Sequence, residues 1–95
     1  SGGGGAVADG IGRRLKRLST KVQVLTVTHA PQVAARADTH LFIEKQAIEE
    51  GAFMRTHVRR LDGVARREEV ARMLAGAKIT EEARAAAGKL LSDVS

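Results

Sequence analysis

Cysteine, tryptophan and tyrosine are absent from this 95-residue sequence, phenylalanine occurs twice and proline once. Without cysteine there is no disulfide framework, no thiolate nucleophile and no Cys-ligated zinc, a composition that suits a reducing cytoplasm. With so few aromatic rings, nucleic-acid bases have little to stack on, which argues against a binder of single strands. Long apolar runs are lacking too. No stretch reaches the ~18 residues that a bilayer span needs, and the N-terminus does not have the basic-then-apolar layout of a secretory signal. The expectation is a soluble chain, away from membranes, with one modest aliphatic core, since so short a chain leaves much of its surface in water.

What is present in excess is positive charge. Sixteen Lys and Arg stand against eleven Asp and Glu, a formal net charge of +5, which raises the expectation of a polyanionic partner such as nucleic acid or nucleotide phosphate. Many of these cations fall at helical spacing, where solvated helix faces account for them equally well.

Periodicity divides the chain into six parts. Ser1 to Gly5, "SGGGG", reads by itself as a flexible linker. Over 6–19, Val7, Ile11, Leu15 and Leu18 recur at three- and four-residue intervals, with Arg13, Arg14, Lys16 and Arg17 on the other faces, which predicts an amphipathic helix. Residues 22–28, "VQVLTVT", are dense in β-branched side chains and predict a core strand covered on both faces, as in a parallel sheet. Within 29–37, Pro31 suits the first turn of a short helix. Over 39–61, "THLFIEK" and "AFMRTHVRRL" flank the loop "QAIEEG" and predict an antiparallel hairpin, with Met54, Thr56 and Val58 on one face and Arg55, His57 and Arg59 on the other. Two helices fill 62–95. The first is capped by Asp62 and stopped by Gly76, with Glu68 and Arg72 paired four apart. The second is capped by Thr80 and carries Glu81 and Glu82 in its first turn, with an apolar stripe of Ala83, Ala87, Leu90, Leu91 and Val94.

The residue with most chemical promise is His29, because open α/β sheets bind ligands beyond the carboxyl ends of their strands. An imidazole there can donate to a phosphate oxygen or orient a water, and the helix opened by Pro31 would aim free N–H groups at the same space. The plain alternative is a histidine satisfied by local hydrogen bonds. The phosphate cradle G-x-x-x-x-G-K-[ST] is missing: "GKLL" at Gly88 has Ala83 in place of the first glycine and Leu90 in place of the hydroxyl. His29, His40 and His57 lie too far apart, with no carboxylate at ligand offsets, for a metal site to be expected. Glu49 and Glu50 belong to the hairpin loop, and no nucleophile elbow supports a Ser-His-Asp triad. Arg55, His57 and Arg59 form the best basic patch, with Arg55 and Arg59 the candidate phosphate or DNA contacts and a solvated face the alternative.

Taken together, "VQVLTVTHAPQVAARAD" and "RTHVRRLDGVARREEVARMLAGAKITEEA" resemble the C-terminal end of the RecN family of bacterial DNA repair proteins, relatives of the SMC proteins with an ABC-type ATPase head. The resemblance runs from the N-terminal glycines to near Leu91. It implies an α/β fold, part of a P-loop NTPase-like head, in which 22–28 is a core parallel strand with flanking helices. It implies that His29 is the switch histidine that contacts the ATP γ-phosphate or its attacking water, supported by Thr28, Pro31 and Gln32. Ser1, Gly2, Gly3, Gly4 and Gly5 would be the tail of the D-loop beside the nucleotide, although they are richer in glycine than that loop usually is. The family's Walker A, signature and Walker B motifs would precede Ser1, so ATP and Mg2+ are expected only in the intact parent and no cofactor for this segment alone. The partners implied are the rest of the head, a second head in a homodimer, and DNA through the parent, at the bacterial nucleoid in the cytoplasm. The reading from another class is an autonomous basic DNA-binding module, or a structural module that self-associates, without catalysis.

Overall fold

The last third of the chain holds the driest packing. In the computed structural model, which describes residues 2–49 and 53–93, the elements run α1 (Gly2–Leu18), α2 (Pro31–Ala34), β1 (His40–Ile48), β2 (Phe53–Leu61), α3 (Gly63–Ala75) and α4 (Glu81–Ser92). Val70 and Ala71 of α3 are fully buried against Ala83 and Ala87 of α4, with Ile79, Leu90 and Leu91 packed around them. Small residues at those positions let the two helices approach closely. The Thr80 hydroxyl accepts from the Ala83 N–H at 3.1 Å, the cap its position predicts. Gly76 ends α3 at φ +85°, in the left-handed region that favours glycine, and its N–H donates to the Arg72 carbonyl. Asp62, by contrast, makes no side-chain capping bond; it lies 3.5 Å from Arg60 instead. The expected Glu68–Arg72 pair is also replaced, because Arg72 bonds Glu69 at 2.7 Å while Glu68 reaches across to Arg84 of α4 at 2.9 Å. An interhelical partner has displaced the one along the helix.

The hairpin forms as expected, antiparallel, with His40 opposite Leu61 and Ile48 opposite Phe53. Its β1 runs three residues past the expected end at Lys45, and Glu50 lies outside the described residues. Alternation separates the two faces as anticipated; β2 is exposed on both up to Leu61, and it is the charged face that meets α3 at its base. Arg59 stacks over the Phe42 ring, 5.4 Å from its centroid, and both join Leu61 in an open groove against Glu69 and Arg72 of α3. Leu41, Ile43, Met54 and Val58 face outward and are exposed.

Two expectations from the N-terminal third are corrected. Residues 22–28 form no strand, and Leu25 and Val27 are 84% and 89% exposed. A central strand exists only through its neighbours' hydrogen bonds, and the one sheet among the described residues is the β1–β2 hairpin. The helix expected over 6–19 begins at Gly2, so Gly2 to Gly5 are helical turn rather than loop, while Ser1 lies outside the described residues.

Helix α1 docks on α2 through a glycine. A Cβ added to Gly12 would stand 2.9 Å from the Gln32 carbonyl oxygen and 3.0 Å from Arg36 Cγ, whereas one added to Gly10 would meet nothing within 4 Å. The two glycines should therefore respond in opposite directions. Gly10→Ala should stabilise α1 by up to about 1 kcal/mol through helix propensity. Gly12→Ala should cost about 1–2 kcal/mol, because backbone on both sides of the clash must shift. Hydrogen exchange across α1 measures both, and equal signs would contradict this docking geometry.

Candidate functional site

His29 sits in a short loop held at both ends. Before it, the Thr28 hydroxyl accepts from the Ala30 N–H at 2.9 Å, turning the chain so that Thr28 is half-buried and His29 exposed. After it, Pro31 opens α2 with Ala30 as the N-cap in extended backbone. The expected free N–H groups of this helix are largely committed, since those of Val33 and Ala34 both donate to the Ala30 carbonyl. A general anion site at the helix end is therefore not what the loop offers; the exposed imidazole is its accessible chemical group. Gln32 brings in the glycine-rich start: its Nε2 lies 3.8 Å from where a Cβ on Gly5 would be.

A polar frame that sequence spacing does not reveal surrounds α2. Asp9, the one acidic residue of α1, bonds Arg13 at 2.8 Å and Arg36 at 3.0 Å. Burial works to raise the Asp9 pKa, but the bonds from Arg36 and Arg13 outweigh it and hold the carboxyl below its ordinary value. Lys16 pairs with Asp38 and lowers that carboxyl through a direct hydrogen bond. From α3, Arg66 Nη2 donates to the carbonyls of Ala37 at 2.7 Å and Ala34 at 3.2 Å. Burial, set against the pull of Asp62 and Asp38, lowers the Arg66 pKa, which leaves it a cation at any pH of interest. Apart from Asp9 and Arg13, one turn apart on α1, these partners stand 22 to 32 residues apart in sequence, so only folding brings them together.

The basic patch is partly neutralised by the same packing. Arg59 lies over Phe42 and 3.8 Å from Glu44, whereas Arg55 is exposed opposite Gln46. On α1, Arg13 and Lys16 are paired with Asp9 and Asp38. No group of three His, Asp or Glu among the described residues is arranged to hold a metal, and no helix among them is long and apolar enough to cross a membrane.

His40 is the histidine whose pKa the packing shifts. Its Nδ1 is buried with no partner among the described residues. Burial first and the Arg66 cation second push its pKa below the ordinary 6.5, with Glu69 pulling the other way. Below pH 6.5 the unfolded chain therefore binds a proton that the folded chain resists, so stability falls as pH drops from 6.5 toward the depressed folded value. Asp9 and Asp38 act lower: their contribution is full above 3.8 and is lost as pH falls through their depressed values. Urea unfolding at several pH values over roughly pH 5 to 7 should show a slope that His40→Phe flattens. An unchanged slope would assign the dependence elsewhere.

No family model matches the chain. Curated relatives do, along nearly its whole length. It is 48% identical over 94 residues, 99% of the chain, to the DNA repair protein RecN of Xylella fastidiosa. It is 50% identical over 91 residues, 96% of the chain, to the same protein of Streptomyces coelicolor, and 48% identical over 88 residues, 93% of the chain, to that of Rickettsia felis. The chain belongs to the RecN family. It spans 16% of the length of each of these RecN relatives. Of the positions to which the RecN resemblance assigns a role, Thr28, His29, Pro31 and Gln32 form one continuous loop and helix start, with Gly5 beside Gln32. Arg55 and Arg59 belong to the separate hairpin.

Proposed function

We propose that this chain is part of the ATP-binding head of a RecN-type DNA repair protein, in which His29 senses the terminal phosphate of ATP and couples nucleotide hydrolysis to recombinational repair of DNA breaks. The observation that carries the reading is the exposed imidazole of His29, held between the Thr28 turn and the Pro31 helix start, in a chain that is RecN-like along nearly its whole length. The apolar stretch before it fits the same reading: Val22, Leu25 and Val27 are exposed here and would be covered once neighbouring strands of a larger sheet flank them.

In this arrangement His29 donates an N–H to a γ-phosphate oxygen, or orients the attacking water, as charge moves onto the phosphoryl group. The Gly2–Gly5 turn, whose Gly5 lies beside Gln32, would lie near the nucleotide at the contact with a second head. Magnesium supplies neutralisation of phosphate charge when bound. The described residues of this chain form no cluster fit to hold it, so it is assigned to the rest of the head and no step here runs through it. The partners of this reading are the remaining head, a second copy of it, and DNA bound by the whole protein. Replacing His29 by alanine in a full-length RecN-family protein carrying this sequence tests the reading: turnover should fall while nucleotide affinity is kept, and unchanged turnover would remove the role.

A further inference from the structure

Arg66 lies on α3, far in sequence from His29, yet it holds the far end of the helix that His29 precedes. Helix α2 is a single turn, Pro31–Ala34, and both Ala34 and Ala35 are buried. The Ala34 carbonyl already accepts from the Ala37 N–H at 3.2 Å, but it closes the helix at its negative pole, where a cation is favoured. One nitrogen of the Arg66 guanidinium answers both the Ala34 and the Ala37 carbonyls. Charge-assisted bonds of this kind are stronger than neutral ones. The other side of α2 is held by Gly12 of α1 against the Gln32 backbone and by Asp9 through Arg36. Only Ala30 separates His29 from Pro31, so the placement of this one turn sets the placement of the imidazole.

We infer that Arg66 is a positioning residue for His29: by clamping the carbonyl end of α2 to α3 it fixes the attitude of the turn from which the imidazole projects, and it ties that loop to the α3–α4 pair. The inference rests on the reading of His29 as the phosphate-sensing group. Arg66 itself touches no nucleotide. Its loss should lower the chemical step and spare binding, because small displacements of a reacting group cost rate far more than affinity.

A double-mutant cycle in a full-length RecN-family protein carrying this sequence tests it. Arg66→Ala should lower kcat for ATP about 10-fold and leave KM within about 3-fold. In the His29→Ala background the same substitution should change kcat less than about 2-fold, since a residue acting through His29 has nothing left to position. A merely structural role would lower kcat by the same factor in both backgrounds, and that additivity would overturn the inference, as would an unchanged kcat in Arg66→Ala alone. If His29→Ala leaves turnover intact, the reading of His29 fails and this inference with it; if His29→Ala impairs turnover while Arg66→Ala does not, or is additive, only this inference fails. Should Arg66→Ala lose the wild-type thermal melt, Arg66→Lys takes its place, with a compact ammonium on a shorter reach that does not span both carbonyls, and the same non-additivity is required of it.

Discussion

His29→Ala in the full-length protein is expected to reduce ATP turnover about 100-fold, the lower end of what a positioned acid–base group contributes, equivalent to about 2.7 kcal/mol of transition-state stabilisation. Affinity for a non-hydrolysable nucleotide should change less than about 3-fold. The asymmetry follows from where the residue sits. The loop is held by the Thr28 turn, Pro31 and the buried Ala34 and Ala35, none of which needs the imidazole. Removing an exposed side chain leaves that backbone in place, so the fold and the ground-state complex lose little. On the proposed reading, what goes is an interaction that strengthens only as charge develops on the terminal phosphate. A proportional loss of binding and turnover would instead mark His29 as a simple ligand contact.

Val70→Asp should abolish cooperative folding of the α3–α4 pair, at a cost above about 4 kcal/mol. Val70 is the largest side chain with no exposure among the described residues, and its neighbours Ala71, Ala83 and Ala87 offer no donor for a carboxylate. The control is Val64→Asp on the same helix, at a position 67% exposed, which should change stability by no more than about 0.5 kcal/mol. Amide exchange in α3 and α4 separates the two outcomes: protection should collapse for Val70→Asp and persist for Val64→Asp. Retained protection in the buried variant would mean that the core lies elsewhere. Loss of the pair would also release Arg66 from α2, so turnover in the full-length Val70→Asp protein should fall along with stability.

How much of this was legible beforehand depended on the range of the forces involved. Helices α3 and α4 were readable because their determinants are local: the Thr80 hydroxyl caps its own helix, Gly76 takes the left-handed turn, and Ala83 and Ala87 lie one turn apart on the same face. The hairpin was readable from alternation, which puts Arg55, His57 and Arg59 on one side whatever surrounds them. Which side turns inward was not, since Phe42 and Leu61 share the charged face and dock it on α3. The site divided the same way. His29 stood out by its place between an apolar run and a proline, whereas Asp9, Arg36 and Arg66 gave no signal, being charged residues on helices where solvated faces are the ordinary explanation.

The sequence alone determined the hairpin, the two C-terminal helices, the family and the choice of His29 as candidate, because capping, periodicity and motif order act between residues close along the chain. Tertiary structure decided the rest. Residues 22–28 are built to be a strand and are not one here, for a strand is a property of its neighbours' hydrogen bonds as much as of its own side chains. The charges around α2 acquired partners only when α1 and α3 were brought against it, since an ion pair needs a few ångströms of proximity that no spacing rule supplies across 22 to 32 residues.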